Sequence, residues 1–168
     1  RASEQLARDD ITCHGWNPSE ENPPAEAFDG VDVVFHLAGE SVAKGRWTTA
    51  KKKRILDSRV LGTRQLVDRL STLDTPPTVL VSASAVGFYA SRGDEVLTEQ
   101  SSAGDDFLAD VCQKWESEAA RATDAGIRVV SPRISIVLGT GGGALAQMLL
   151  PFRLGLGGRL ASGHQWMP

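Results

Sequence analysis

Hydrophobic and polar positions alternate along the chain in blocks that switch between strand and helix periods. Residues 31–37 form an apolar run of β-formers, entered from Asp29-Gly30 and left through Ala38-Gly39. A run of this kind reads as a strand buried on both faces, the pattern of parallel sheets. From Thr48, an N-cap residue type, Leu56, Val60, Thr63, Val67 and Leu70 recur at helical spacing and predict a long amphipathic helix that Pro76-Pro77 stops. Residues 78–82 give a second short buried strand, which runs into Ser82-Ala83-Ser84-Ala85. A second helix is expected over residues 105–125, with Phe107, Val111, Trp115, Ala119 and Ala122 on one face and Gly126 as its C-terminal stop. A third buried strand is expected over 127–138, made irregular by Pro132, then a glycine-rich loop and a short apolar helix over 144–152. Before all of these, residues 11–16 form a short strand-like piece, and Asn22-Pro23-Pro24 marks a loop.

Buried strands alternating with helices of this length imply right-handed βαβ crossovers, hence an α/β fold with a doubly wound parallel sheet of Rossmann type. A chain of 168 residues with 41% apolar and 23% charged residues suits one globular domain and excludes a fibre or a disordered tail. No apolar run approaches the roughly 18 residues of a membrane helix, and no cationic leader precedes an apolar segment. The expectation is a soluble, cytoplasmic protein without membrane or nucleic-acid partners, seen without its true N-terminus because it opens on Arg1. Cys13 and Cys112 fit neither a disulfide framework nor a metal site with paired ligands, so both are read as reduced thiols and no metal is expected.

The charge is unevenly placed. All 21 acidic residues lie at or before Asp124, whereas Arg128, Arg133, Arg153 and Arg159 follow it. A segment free of carboxylates is a natural wall for an anionic ligand, and Arg153 and Arg159 are the candidates for holding a substrate's anionic group. The competing explanation is that these arginines pair with acids from the first part of the fold. Gly139-Thr140-Gly141-Gly142-Gly143-Ala144 has the form of a dinucleotide-phosphate turn, but that motif needs an acidic residue about 20 positions on to hold a ribose, and none follows Asp124. The loop is better read as a glycine-rich rim over a substrate, with Gly141 at its centre. The run Lys51-Lys52-Lys53-Arg54 opposes the helix dipole and reads as a solvated face. Arg59 lies one turn beyond Ile55, beside the buried stripe, where its guanidinium can meet a phosphate or a carboxylate. Small residues after a central strand let a ligand approach the backbone, and Ser84 is the candidate to hydrogen-bond a reacting oxygen.

In order, the chain carries Leu37-Ala38-Gly39-Glu40, Arg46-Trp47, Asp57-Ser58-Arg59-x-x-Gly62-Thr63, Ser82-Ala83-Ser84-Ala85-Val86-Gly87-Phe88-Tyr89, Thr98-Glu99, Gly104-Asp105-Asp106-Phe107-Leu108, Trp115-Glu116, Val137-Leu138-Gly139, Pro151-Phe152-Arg153 and Gly163-His164-Gln165-Trp166-Met167. This ordered set resembles the extended short-chain dehydrogenase/reductase superfamily, in its epimerase-like branch, some members of which carry a nucleoside-diphosphate-sugar epimerase or a cell-division-inhibitor label. The resemblance implies a domain that binds NADP, with NAD as the alternative. Leu37, Ala38 and Gly39 would lie at the adenosine side, and Arg59 at the cofactor-facing helix position. Ser82, Ala83 and Ser84 would pass beneath the nicotinamide ribose, Val137 would close the nicotinamide side, and Arg1 would meet a 2′-phosphate. It also implies that the first βαβ segment and the C-terminal substrate region lie outside this chain, with residues 139–168 beginning the substrate side.

One departure stands out. Oxidising and epimerising members use a Tyr with a Lys four residues on, and here the single tyrosine, Tyr89, is followed at that spacing by Gly93. With Trp115-Glu116 setting the register, Leu108 and Cys112 fill the two slots; a shift of two puts Asp110 and Lys114 there. The reading is an NADP(H)-binding oxidoreductase or epimerase-like protein acting on a small anionic substrate without the usual acid-base pair. The alternative is a non-catalytic dinucleotide sensor or interaction protein. Superfamily members pair through the helices placed here at 48–70 and 105–125, which leaves a homodimer open, since Phe107 and Trp115 are explained as well by packing on the sheet.

Overall fold

The computed structural model describes residues 11–18, 20–139, 143–159, 162–164 and 166. Three parallel strands form the main sheet in the order β1 (Val33–His36), β2 (Val79–Ser82), β4 (Arg128–Val130). Val33 pairs with Val79 and His36 with Ser82, while Val79 pairs with Arg128. Two crossover helices, α1 (Thr49–Leu70) and α2 (Phe107–Ala120), connect them. Both pack on one face, where Leu66, Val67 and Leu70 of α1 meet Leu80, Ala122 and Ile127 in the core. This is the α/β Rossmann-like arrangement expected from the strand and helix alternation.

Local chemistry sets the helix ends. Thr48 Oγ1 accepts the Lys51 backbone N–H at 3.2 Å, and the Asp106 carboxylate accepts that of Ala109 at 2.9 Å. Each satisfies an orphan donor of a first turn. After α2 the chain tightens into a 3₁₀ turn, Arg121–Ala125, and leaves through Gly126 at φ 76°. A helix α3 (Gly143–Arg153) has no buried residue. Among the described residues no helix is long and apolar enough to cross a membrane.

Four expectations change. Residues 11–16 form no strand; Trp16 instead donates its indole N–H to the Glu21 carbonyl at 2.7 Å and packs against the core. Among the described residues the first strand is covered on one face, because side chains alternate across a strand and the described helices pack on one side. His36 is 3% exposed, whereas Phe35 on the opposite face is 68% exposed. The third strand divides where Pro132 removes a donor: β4 pairs with β2, and β5 (Arg133–Ile134) pairs with β3 (Ser84–Ala85). Finally, the basic run is not a solvated face throughout. Lys51 is 4% exposed and ion-paired to Glu40, and Lys52 lies over the Phe107 ring at 5.2 Å.

Candidate functional site

Parallel strands bring their carboxyl ends to one edge, and that edge is where open α/β sheets hold ligands. Here it consists of residues 37–40 after β1, Ser82 to Ser84 where β2 passes into β3, and residues 135–139 after β5. Glu40 fastens the first of these to α1 in three ways. Its N–H bonds to Ser58 Oγ at 2.9 Å, its carbonyl accepts Arg59 Nη1 at 3.0 Å, and its carboxylate accepts Lys51 Nζ at 2.5 Å. The Lys51 ammonium holds the Glu40 carboxyl below its ordinary range. That ion pair is what the basic run at the start of α1 gains in exchange for opposing the helix dipole.

Arg59 reaches the same edge. Its guanidinium lies 5.1 Å from the Trp115 ring centroid, bonds the Ile55 carbonyl at 3.3 Å, and stands against Gly39 so closely that a Cβ there would be 3.0 Å from Cζ. Burial lowers the Arg59 pKa from its usual value, with Glu40 among the groups that offset this. Leu37 beside it is exposed.

Ser82 is 1% exposed, and its hydroxyl has no hydrogen-bond partner among the described residues. Its register neighbour His36 bonds Thr63 Oγ1 through Nε2 at 3.0 Å, and burial pushes the His36 pKa down to about 4. Two residues on, the Ser84 hydroxyl donates to Glu116 Oε1 at 2.5 Å. Ser84 is the register partner of Arg133, which binds both oxygens of that carboxylate at 2.9 Å. Arg133 also donates to Tyr89 Oη at 2.8 Å and lies 3.4 Å from the Phe88 ring centroid. The Glu116 carboxylate raises the Arg133 pKa above its ordinary value. Of the arginines after Asp124, Arg133 therefore pairs with an acid from the first part of the fold.

Three residues at helical spacing on α2 face this region. Leu108 packs on Gly87, the Cys112 thiol lies 3.8 Å from the Ala85 carbonyl oxygen, and Glu116 meets Ser84. Burial raises the Cys112 pKa, so the group is a thiol rather than a thiolate. Asp110 and Lys114 instead form an exposed i,i+4 pair at 2.7 Å. The strand ends thus face Leu108 and Cys112, neither of which exchanges a proton readily at neutral pH.

The chain next to Tyr89 is strained. Ala90 sits at φ 54°, ψ −152°, a region costly for a side chain, and Gly104 packs against it. A Cβ on Gly104 would lie 2.3 Å from Ala90 Cβ and 2.8 Å from the Tyr89 carbonyl oxygen. Gly104→Ala should therefore destabilise the protein by about 1–3 kcal/mol in thermal or urea unfolding, as overpacking does; an unchanged midpoint would show that the 90–104 loop yields freely.

The structure brings Leu37, Ala38, Gly39, Arg59, Ser82, Ala83 and Ser84 to the strand-end region. Val137 follows β5 and is exposed, as are Arg153, which closes α3, and Arg159 beyond it. Arg1 and Gly141 lie outside the described residues. Sequence reasoning passed over the Glu116–Arg133 pair; the signal for it was a charge within a predicted buried strand and an acid one turn beyond Cys112 on the buried helix face. Among the described residues no cluster of His, Cys, Asp or Glu could hold a metal ion.

A profile described as the NAD dependent epimerase/dehydratase family matches residues 2–163. Epimerase family protein Mb2239 of Mycobacterium bovis is 40% identical over 152 residues, covering 90% of this chain and 50% of that protein. Epimerase family protein SDR39U1 of Bos taurus is 41% identical over 140 residues, 82% of this chain and 47% of that one. Among solved structures, human epimerase family protein SDR39U1 (isoform 2) with NADPH superposes with a TM-score of 0.79 at 37% identity, over 89% of this chain and 50% of that chain. A nucleoside-diphosphate sugar epimerase from Corynebacterium glutamicum gives a TM-score of 0.75 at 42% identity, over 91% of this chain and 31% of that chain. The chain spans about half the length of the curated relatives it matches. With the parallel sheet, the crossover helices and the small-residue strand ends in place, the resemblance drawn from the motifs holds, and the chain belongs to the NAD-dependent epimerase/dehydratase family.

Proposed function

We propose that this chain forms the dinucleotide-binding part of an NADP(H)-dependent oxidoreductase or epimerase-like enzyme, with NAD as the alternative cofactor. The observation that carries this reading is the Arg59 guanidinium, packed on Trp115 and against the side-chain-free Gly39 at the sheet's carboxyl edge. A charge held there suits a phosphate, and the orphan Ser82 hydroxyl is a second polar group without a protein partner among the described residues. The NADPH in the structure of the human relative, at 37% identity, supports the same choice. In this reading Leu37, Ala38 and Gly39 line the adenosine side, Ala83 leaves room beneath the nicotinamide ribose, and Val137 offers an apolar surface on the nicotinamide side. When bound, the dinucleotide supplies hydride transfer to or from a substrate carbon.

The chain's own residues orient and exclude. Ser84 accepts a hydrogen bond from an O–H or N–H group where the nicotinamide half meets the substrate, while Arg153 and Arg159 hold an anionic group. Leu108 and Cys112, in place of a phenol and an amine, leave the proton to a water or to a residue outside this chain.

Purified full-length protein incubated with NADPH and a panel of carbonyl and nucleotide-sugar compounds tests the proposal. Turnover is the expected result. Saturable binding without turnover on any compound would assign a sensor role instead, and absence of NADPH binding would overturn both. Arg59→Ala should weaken NADPH binding by about 1–3 kcal/mol, the range of a charged hydrogen bond, in a fluorescence titration; unchanged affinity would return Arg59 to a structural role.

A further inference from the structure

The polar cluster around Arg133 ties together more elements than packing alone requires. Arg133 lies on β5, Glu116 on α2, Ser84 on β3 and Tyr89 on the 3₁₀ turn Val86–Tyr89; the Glu99 carbonyl, 3.3 Å from Arg133 Nη1, belongs to the loop before α2. The Arg133–Glu116 pair therefore joins five segments near the strand ends.

The hydrogen count in this cluster is restrictive. A carboxylate gripped on both oxygens by a guanidinium fork only accepts, so the proton between Ser84 and Glu116, 2.5 Å apart, is the serine's own. Ser84 has no second proton, and towards any other group its Oγ offers lone pairs alone. The Cys112 hydrogen is likewise directed at the Ala85 carbonyl oxygen. The Ser84 and Cys112 hydrogens are thus both committed within the protein, and towards a ligand Ser84 acts as an acceptor. The adenosine end is held by a separate set of ties, Glu40 to Lys51, Ser58 and Arg59. The two halves are thus fixed by independent networks.

We infer that Glu116 and Arg133 are positioning residues for the nicotinamide half of the crevice: they hold β5, from which Val137 follows, against β3 and commit the Ser84 hydroxyl as an acceptor for an O–H or N–H group. The inference rests on the dinucleotide reading above.

The test uses the full-length protein with two probes, NADPH and 2′,5′-ADP, the latter carrying only the adenosine end. Their affinities are measured by calorimetry for the wild type, Glu116→Gln, Arg133→Lys and Ser84→Ala, with unfolding midpoints recorded alongside. Glu116→Gln and Arg133→Lys should lose about tenfold or more for NADPH, the scale of small misplacements in a site, while 2′,5′-ADP stays within about twofold. Ser84→Ala, which removes only the hydroxyl, should lose several-fold for NADPH alone. Equal losses for both probes would show general destabilisation and overturn the inference, as would unchanged NADPH affinity. Should the Glu116 and Arg133 variants fail to fold, Ser84→Ala decides: a loss confined to NADPH supports the inference and no loss overturns it. Failure of the wild type to bind either probe would instead remove the dinucleotide reading itself.

Discussion

Arg133→Met is expected to lower the free energy of unfolding by about 3 kcal/mol, read from urea denaturation. The Arg133 and Glu116 side chains are 19% and 20% exposed, so water screens them poorly. Deleting the guanidinium leaves a shielded carboxylate facing Ser84 and removes the donor to Tyr89 Oη. The cost of a stranded charge exceeds the net worth of the pair, which has a second consequence. Arg133→Met combined with Glu116→Leu should recover much of the loss, because an apolar pair of similar size replaces the ions without an unmet charge. Arg133→Lys should fall between, since an ammonium keeps the charge but cannot make the fork. A loss of only about 0.5 kcal/mol in the single variant would place this pair with ordinary surface bridges and contradict its role as the anchor of five segments.

The second large effect depends on pH. His36 is 3% exposed, and burial pushes its pKa from 6.5 down to about 4. The unfolded chain therefore takes up a proton near pH 6.5 that the folded protein refuses until about pH 4. Since the unfolded state binds more protons in this window, stability falls as the pH falls through it, by about 1.4 kcal/mol per pH unit and about 3 kcal/mol in all. Glu40 and Glu118, both lowered from 4.5, add losses only below that value. The interval from pH 6.5 to about 5 thus isolates the imidazole. His36→Gln, which can still bond Thr63, should flatten the stability profile there. A wild-type profile already flat over this interval would show that the folded protein accepts the His36 proton without cost.

Much of this architecture was legible from periodicity. The stripe of Leu56, Val60, Thr63, Val67 and Leu70, with Thr48 before it and Pro76-Pro77 after, gave α1 nearly to the residue, because capping and breaking chemistry is local. β2 was equally plain, bounded by Pro77 and by small residues. The division of the last strand was less so: Pro132 signalled an irregularity, but only the pairing of Ser84 with Arg133 shows that the chain changes partner there. Which face of β1 the described helices cover was not legible, because an apolar run does not reveal on which side of a strand its neighbours pack. Burial of Lys51 was missed for a related reason, since its partner Glu40 lies across a turn of the fold rather than at helical spacing. At the candidate site, Arg59 and the run from Ser82 to Ser84 stood out from position alone. Glu116 and Arg133 did not, because a pair 17 residues apart becomes visible only once α2 is laid against β5.

Amide hydrogen exchange on the full-length protein, with and without saturating NADPH, addresses the central claim at the level of residues. Binding at the strand ends should slow exchange in residues 37–40 and 82–85, leaving the outer turns of α1 and α2 unchanged. Protection elsewhere, or none at these two segments, would contradict the placement of the dinucleotide along this edge.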